Sequence, residues 1–532
     1  MDWPTHLFNR ILILIAMKNL FLVILIAFSS ICSAQMFSPQ TKEVTEKFFP
    51  DVEVEINTPA FHKKKGFTTY KEMMNFLQPL VDQHPEEVQL KFIGKSQRGL
   101  EIPMLTFNKA SDTSEKDKVR VWIQAGIHGD EPASTEGILY LIQQLLTNKE
   151  YQHLLDRLEI GIVPMANIDG FNDQVRDAKN GLDLNRDQTK LNASESIYLK
   201  QAFSDFKAEV ALDFHEYRPF RRDFVHYREY GVTNPYDVMF LYSGNLNVPK
   251  NLREFTEDTF VANAKSLLKE NNLRAYNYFS TSDCEGYTCY NLGSVNARSS
   301  ATSYALANTI STLIEVRGVG LGKTSFKRRV MTTFLVAKAY LETAYNHPEE
   351  VKKEIEQAVN SRAEVVVKSK RKVSREEMSF IDLAENKLVT EEVILRNALA
   401  SFPTLTRERP TAYLILPTQE KLIKRLKVLG LEVEQLSSPK TLEVESYEIT
   451  DYYRDSNKYE KVHRQKVSVA THTITKTFPK GTYVVYLDQK NAGLAIETLE
   501  PEAANSFLSY DVIATQKGEE LPYYRYLTPQ KL

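Results

Sequence analysis

The sequence predicts an α/β fold in which helices flank an open, mainly parallel sheet, followed by a smaller β-rich C-terminal domain. Over residues 66–346, apolar runs of strand length alternate with amphipathic stretches of helical periodicity, as in a doubly wound sheet. Beyond Pro410, the runs 467–477 and 481–487 alternate apolar and polar residues, which is typical of half-buried strands. At 532 residues, the chain is also too long for one ordinary domain.

Changes of composition divide the chain into segments. We predict a signal peptide at 1–34, a polar, extended lead-in at 35–65, the α/β domain at 66–346, a charged helical linker at 347–405 and the β-rich domain at 406–532. Runs of like charge are usually solvated, so we interpret the lysine- and glutamate-rich linker as an exposed segment and not as a binding patch.

The N-terminal segment has the organisation of a secretory signal. Lys18 precedes an apolar stretch, and the small residues Cys32 and Ala34 suit cleavage before Gln35. An uncleaved membrane anchor is the alternative, although the uninterrupted apolar stretch is short for a membrane span. We therefore expect an exported protein, periplasmic or extracellular, that meets a membrane only transiently through its signal peptide.

The composition argues against several partners and scaffolds. A formal net charge of −2 gives no reason to expect nucleic acid or an anionic membrane as the main partner. Once the signal peptide is removed, only Cys284 and Cys289 remain, which excludes a disulfide-built scaffold and argues against a cysteine-ligated metal. These two cysteines form either a local disulfide or a pair of free, buried thiols, and the sequence leaves both possibilities open.

Polar side chains follow several of the apolar runs at the point where each run ends. A turn containing His128 and Glu131 follows the run Val119–Ala125, and a helix can begin directly after it. His215 follows a second buried-strand pattern, and Glu315 lies within a third. Because the carboxyl ends of parallel strands meet at one crevice of an open sheet, we expect these side chains to lie close together.

Two histidines and a carboxylate form a zinc-binding set that leaves one coordination position open for water. A further glutamate nearby can take the proton of that water. His128-x-x-Glu131 by itself has a simpler reading, in which the glutamate only caps a helix, and a lone His215 is usually a core histidine. The combination favours a metal site, so the sequence indicates a metal-assisted hydrolase.

The order of these motifs along the chain resembles that of the M14 zinc carboxypeptidase family. It runs from His128-x-x-Glu131 through 167–171 and 183–186 to His215 and Glu315. The resemblance covers residues 66–346 and implies a mixed, mainly parallel sheet of about eight strands with helices on both faces.

The resemblance implies a role for each matching residue at the metal. His128, Glu131 and His215 would hold Zn²⁺, one ion per chain. Asp183 would accept a hydrogen bond from His128 and thereby select its tautomer. Glu315 would deprotonate zinc-bound water and then protonate the leaving amine.

Three further residues would bind the substrate. Asn185 and Arg186 would grip its terminal carboxylate, for which the planar guanidinium fork is suited. Arg176 would polarise the scissile carbonyl. The family also places a mobile tyrosine over the substrate, and Tyr287, Tyr290 and Tyr304 are alternatives for it that the sequence does not separate.

Residues 313–318 and 328–330 resemble a branch of exported bacterial members in which a β-rich C-terminal domain follows. We expect Arg317 and Arg329 within these stretches to be structural ion-pair partners. The loop 281–296, rich in tyrosine, cysteine and acidic residues, is expected to shape the specificity pocket.

The sequence thus predicts an exported, zinc-dependent metallocarboxypeptidase that removes C-terminal residues from peptides with a free C-terminal carboxylate. A zinc amidase acting on cell-wall peptides or acylated amino acids is the alternative on the same scaffold. A non-catalytic ligand-binding protein is a third reading, but no zinc ligand is missing and Glu315 is present. The sequence does not predict the preferred terminal side chain.

Overall fold

The computed structural model describes residues 40–532, and the predicted signal peptide lies outside this range. The strands are β1 (Val88–Lys95), β2 (Glu101–Phe107), β3 (Val119–Ala125), β4 (Leu158–Val163), β5 (Val210–Tyr217), β6 (Val232–Thr233), β7 (Val238–Tyr242), β8 (Ala275–Asn277), β9 (Phe279–Cys284), β10 (Tyr287–Leu292), β11 (Ile310–Arg317), β12 (Val365–Asp382), β13 (Lys387–Arg407), β14 (Ala412–Ile415), β15 (Glu434–Gln435), β16 (Lys440–Tyr459), β17 (Val462–Phe478), β18 (Tyr483–Tyr486) and β19 (Tyr523–Tyr526).

The α-helices flank these strands or connect them. They are α1 (Lys42–Phe48), α2 (Tyr70–Gln83), α3 (Pro132–Thr147), α4 (Ile168–Asp173), α5 (Ser194–Phe206), α6 (Lys250–Phe255), α7 (Ala262–Glu270), α8 (Ser300–Ala305), α9 (Phe326–Asn346), α10 (Pro348–Asn360), α11 (Glu420–Val428) and α12 (Ala492–Leu499). Among residues 40–532, no helix combines the length and apolar character needed to cross a membrane.

A mixed sheet of eight strands lies at the centre of the α/β part, in the order β1-β2-β4-β3-β5-β11-β7-β8. The inner strands β4, β3, β5 and β11 are parallel to one another, and the other neighbours are antiparallel except β7 and β8. All eight residues of β5 are buried, because helices cover both faces of a parallel sheet. The predicted fold class is confirmed.

Local signals explain where the flanking helices begin. Pro132 occupies the first turn of α3, where its missing N–H costs no hydrogen bond. At the start of α2, Thr69 and Glu72 form a capping box that satisfies two backbone N–H groups. The predicted lead-in is not extended throughout, because Thr41 caps α1 and Val44 and Phe48 bury one face of that helix.

The prediction of a helical linker at 347–405 is wrong beyond α10. The two long strands β12 and β13 form an antiparallel hairpin there, and β13 continues to Arg407. They belong to a five-stranded sheet of order β6-β12-β13-β10-β9. The high charge of the segment correctly indicated exposure, but Lys368, Lys370 and Lys372 recur with period two, which is the spacing of a strand and not of a helix.

The C-terminal part is β-rich, as predicted, with a six-stranded sheet of order β15-β18-β14-β19-β16-β17. Its neighbouring strands are antiparallel. The hydrophobic core of the central sheet continues into this part through residues such as Tyr447 and Leu494. The predicted boundary at residue 405 stays a prediction.

Cys284 and Cys289 are joined by a disulfide. The bond crosses the β9–β10 hairpin, in which Cys289 is in register with Ser282. Of the two possibilities that the sequence left open, the structure contains the local disulfide.

Candidate metal centre and catalytic cleft

The turn after β3 is held in place by a close backbone approach. A Cβ atom on Gly129 would lie 2.0 Å from the carbonyl carbon of Gly170, so only glycine fits there. Asn167 binds the turn to α4, since its Nδ2 donates to the carbonyl oxygen of Ile127 at 3.3 Å and its Oδ1 accepts from the backbone N–H of Gly170 at 3.0 Å. The turn therefore presents His128 and Glu131 on a rigid backbone.

His128, Glu131 and His215 converge in the interior of the protein. The two Nδ1 atoms of the histidines are 2.9 Å apart. The carboxylate oxygens of Glu131 lie 2.8 Å from Nδ1 of His128 and 2.9 Å from Nδ1 of His215. Among residues 40–532, this is the group of histidine, cysteine or acidic side chains with ligand atoms close enough to share a metal ion.

The far side of each imidazole faces a carboxylate. Nε2 of His128 lies 3.1 Å from Asp183 Oδ1, and Nε2 of His215 lies 2.9 Å from Asp213 Oδ2. Each carboxylate accepts a hydrogen bond from Nε2–H, which leaves the lone pair of Nδ1 free for a metal. Burial raises the pKa of Asp183, but His128 and Arg176 outweigh burial and hold this pKa below its usual range.

The donor set fits zinc. Two imidazole nitrogens and one carboxylate are ligands that zinc accepts, and they leave room for a fourth. With Nε2–H committed to the aspartates, two Nδ1 lone pairs face each other at 2.9 Å, an arrangement that repels unless a cation lies between them.

Asp213 was missed by the sequence reasoning, although a signal was present. It precedes His215 by two positions on the same strand, so both side chains point to the same face of the sheet. Glu216 was also missed: its backbone N–H donates to Glu131 Oε2 at 3.0 Å, and its carboxylate pairs with Arg329 at 2.5 Å. The predicted ion-pair role of Arg329 is confirmed. The same role for Arg317 stays a prediction, and its guanidinium donates to Gln40 Oε1 at 2.8 Å.

Glu315 lines the same cleft as the candidate metal ligands His128 and Glu131. It lies on β11 in register with His215 of β5. Burial, and then the charge of Glu131, raise the pKa of Glu315 to about 7. A carboxylate whose pKa is close to neutral can both accept and return a proton.

Asn185 and Arg186 lie in a short turn, in which the backbone N–H of Asn185 donates to Asp183 Oδ1 at 2.8 Å. Asn185 Oδ1 accepts from the backbone N–H of Ser300 at 2.9 Å, which leaves Nδ2 as the group that can donate to a ligand. Arg186 donates to the carbonyl oxygen of Asn185 at 2.8 Å and forms no ion pair with any carboxylate in the described part of the chain. Both residues line the cleft.

Arg176 lies beside the metal-binding residues. Its Nη2 donates to Asp183 Oδ2 at 2.9 Å, and its Nη1 lies 3.4 Å from Glu131 Oε1. The C-terminal sheet also reaches this point, because Glu460 in the β16–β17 turn accepts from the backbone N–H of Asp183 at 3.1 Å. Residues from outside the α/β part therefore support the site.

The tyrosine alternatives differ in position. Tyr290 is buried among aromatic rings, Tyr304 is buried with its hydroxyl on Gln124, and Tyr287 is exposed on the disulfide hairpin. Tyr278, which the sequence reasoning missed, lines the cleft instead. Burial, and then the charge of Glu315, raise the pKa of Tyr278 to about 12.

The cleft has a volume of about 770 Å³ and is rich in arginine. The loop 281–296, expected to shape a pocket, contributes several of its polar side chains. The arginines that line the cleft are Arg176, Arg186, Arg218, Arg221, Arg298, Arg371 and Arg396. The last five were not recognised in the sequence, because nothing in their local pattern distinguishes them from surface arginines.

Comparisons with known proteins agree with this site. Residues 73–320 match the family model of the zinc carboxypeptidases, peptidase M14. The chain is 29% identical over 445 residues to carboxypeptidase 2 of Trichophyton rubrum, covering 81% of each chain. It is 33% identical over 168 residues to carboxypeptidase D of Homo sapiens, covering 28% of this chain and 12% of that one.

A solved structure, that of a metallo-carboxypeptidase from Burkholderia cenocepacia, covers 53% of this chain and 70% of its own at 16% identity and a TM-score of 0.40. The family assignment rests on the matched sequence of residues 73–320 and on the extended similarity to carboxypeptidase 2. Residues 73–320 form a domain of the peptidase M14 family of zinc carboxypeptidases, and the chain is a hydrolase.

Proposed function

We propose that the protein is an exported, zinc-dependent metallocarboxypeptidase that removes C-terminal residues from peptides with a free α-carboxylate. The observation that carries the proposal is the convergence of His128, Glu131 and His215 beside a cleft. That cleft is also lined by Glu315 and by Arg186, which has no carboxylate partner among residues 40–532. A metal-binding set, a proton acceptor and a carboxylate receptor within one cleft are the parts that this reaction needs.

His128, Glu131 and His215 would hold one zinc ion. Zinc bound there supplies Lewis-acid polarisation of the scissile carbonyl and makes a water molecule more acidic. Glu315 takes a proton from the attacking water and passes it to the leaving amine nitrogen, which is the general acid–base work that its raised pKa favours. Asp183 and Asp213 keep both histidines in the tautomer whose Nδ1 is free.

The terminal carboxylate is bound by Arg186 and Asn185. The guanidinium of Arg186 lacks a carboxylate partner within the described residues, and Nδ2 of Asn185 is free to donate. Arg176 has donors beside Glu131 and Asp183, where it can bind the oxygen of the scissile carbonyl. Because Arg186 and Asn185 bind the terminal carboxylate, cleavage is restricted to the last peptide bond.

The proton-transfer role is tested with Glu315→Gln, which keeps the side-chain volume and removes the base. We expect kcat to fall about a hundred- to ten-thousandfold while bound zinc, measured by elemental analysis of the purified protein, is unchanged. Lys338→Gln, on the outer side of α9, is the control and should keep the activity. Wild-type turnover by Glu315→Gln would refute the assignment.

The carboxylate receptor separates the proposal from the amidase alternative. Peptides with a free C-terminus should be cleaved, whereas the same peptides with an amidated C-terminus should not. Equal cleavage of both forms would favour an amidase acting on cell-wall peptides or acylated amino acids. Binding of the peptides without any cleavage by the zinc-loaded protein would favour a ligand-binding role.

Export is proposed from two observations. The N-terminal sequence has the pattern of a cleaved signal, and the Cys284–Cys289 disulfide is of a kind that persists in oxidising compartments. N-terminal sequencing of the protein from the periplasm or the culture medium should begin at Gln35. Recovery of the full-length chain from the cytoplasm alone would contradict export.

A further inference from the structure

Three half-buried arginines, Arg298, Arg371 and Arg396, line the catalytic cleft without a carboxylate partner among residues 40–532. Arg371 Nη1 donates to Asn291 Oδ1 at 2.8 Å, and Arg396 Nη1 lies 3.8 Å from the sulfur of Cys284. The guanidinium of Arg298 lies 5.1 Å from the centre of the Tyr459 ring. All three therefore contact neutral groups.

Three other buried or half-buried arginines are neutralised by carboxylates. Arg329 pairs with Glu216 at 2.5 Å, Arg328 with Asp237 at 2.7 Å, and Arg407 with Glu500 at 2.8 Å. Like charges that share a partly desolvated space repel each other unless an anion joins them. Burial, and then the charges of Arg396 and Arg298, lower the pKa of Arg371.

The five-stranded sheet brings two of these arginines to the cleft. Arg396 of β13 is in register with Asn291 of β10, the residue that accepts the hydrogen bond from Arg371. Arg371 lies where the register of β12 shifts between Lys370 and Lys372. The hairpin of β12 and β13 lies beyond residues 73–320, so this feature is added to the catalytic domain from outside it.

Arg298 connects the cluster to the carboxylate receptor. Its carbonyl oxygen accepts from the backbone N–H of Gln188 at 3.2 Å, and two residues later Ser300 donates to Asn185 Oδ1 at 2.9 Å. The charges of Arg298 and Arg186 both act on Tyr459. Arg298 therefore lies next to the groups that would bind the α-carboxylate, where the side chain of the same terminal residue has to fit.

We infer that Arg298, Arg371 and Arg396 form a second carboxylate receptor that selects peptides ending in aspartate or glutamate. The inference rests on the proposed function and names its substrate class. A guanidinium binds a carboxylate through paired, charge-assisted hydrogen bonds, which a neutral amide of the same shape cannot replace. Lysine or arginine at the last position would be repelled by the same charges.

Steady-state kinetics of the zinc-loaded, full-length protein tests this inference. Blocked tripeptides that differ only in the last residue, with Glu, Gln, Leu or Lys, are compared. The expected kcat/KM for Glu exceeds that for Gln by about ten- to a hundredfold. Arg298→Gln and Arg371→Gln should each lower the Glu-to-Gln ratio about tenfold, and Arg371→Glu should raise the relative rate with Lys.

Arg362→Gln is the matched control, because Arg362 is an exposed arginine that donates only to the backbone carbonyl oxygens of Val359 and Ser361 at the end of α10. It should keep the wild-type Glu-to-Gln ratio. Thermal unfolding shows whether Arg298→Gln and Arg371→Gln fold. If one of them does not, the Glu-to-Gln ratio of the other variant decides the outcome. Equal kcat/KM for Glu and Gln, or a preference for Lys, would overturn the arginine receptor while leaving the carboxypeptidase function in place.

Calorimetric titration with N-acetyl-L-glutamate and N-acetyl-L-glutamine gives a readout that does not need turnover. The first should bind about tenfold or more tightly than the second, and Arg298→Gln and Arg371→Gln should remove the difference. If no peptide is cleaved but this difference is found and is lost in the variants, the carboxypeptidase function is refuted and the receptor stands. Equal binding of both compounds refutes the receptor.

Discussion

Glu315 and His215 occupy paired positions on the neighbouring parallel strands β11 and β5. A sheet with strands in this register brings the proposed proton acceptor beside a proposed zinc ligand, although the two residues are far apart in the chain. Burial, and then the charge of Glu131, raise the pKa of Glu315. The register of the two strands thus decides the position of the group.

The acidity of Glu315 predicts the acid side of the pH–rate profile. Burial, and then Glu131, raise its pKa from 4.5 to about 7, and the positive charge of bound zinc acts in the opposite direction. Only the ionised carboxylate accepts a proton, so kcat/KM should fall as the pH drops, with a midpoint between 4.5 and 7. The profile is measured with a free-carboxylate peptide, and a midpoint below 4.5 would contradict the assignment.

The aspartates behind the histidines should control metal affinity. Asp183→Asn and Asp213→Asn replace the charged carboxylates that orient His128 and His215 with neutral amides, and each should weaken zinc binding about ten- to a hundredfold. Competition with a chelator of known affinity measures the change. Asp173→Asn is the matched control, since Asp173 pairs with Arg98 at the surface at 2.6 Å. Unchanged affinity in both test variants would show that the tautomers are set by other groups.

Gly129 should tolerate no side chain. A Cβ atom there would lie 2.0 Å from backbone atoms of Gly170, so Gly129→Ala should lower the free energy of unfolding by about 2 kcal/mol or more and weaken zinc binding. Gly481→Ala is informative for comparison, because that site is open but has φ +85°. It should cost about 1–2 kcal/mol and leave zinc binding unchanged. Denaturant unfolding and zinc analysis measure the two effects.

Glu497 should make stability depend on pH. Its carboxylate is buried, accepts from Asn505 at 2.9 Å and Asn245 at 3.1 Å, and burial raises its pKa from 4.5 to about 7. The folded state therefore binds this proton more tightly than the unfolded state does. The free energy of unfolding should fall by roughly 3 kcal/mol as the pH rises from 4.5 to about 7. Above this pH window, the contribution of Glu497 should be constant.

Glu497→Gln should remove this part of the pH dependence and stabilise the protein at pH values above the window. Urea unfolding at a series of pH values measures the slope for both proteins. Glu356→Gln, at an exposed position of α10, is the control and should keep the wild-type slope. An identical slope in Glu497→Gln would show that folding does not raise the pKa of Glu497.

Much of the metal centre could be predicted because its signals are local. His128 and Glu131 lie in a glycine-containing turn after a strand, and His215 directly follows the buried-strand pattern of residues 210–214. Asp213 shares the strand of His215 and was within reach of the same reasoning, through the period of two. The helical linker was a wrong prediction because charge content reports exposure, whereas helix and strand differ in periodicity.

The sequence by itself determined the α/β class, the order of the motifs and the candidate zinc ligands, since each of these depends on neighbours in the chain. Only the tertiary structure decided which residues meet across long separations. The cluster of Arg298, Arg371 and Arg396 depends on the register of β10 with β13 and on a bulge in β12. Such a register is set by packing and by hydrogen bonds between distant segments, and it leaves no mark in the local pattern around any one of these arginines.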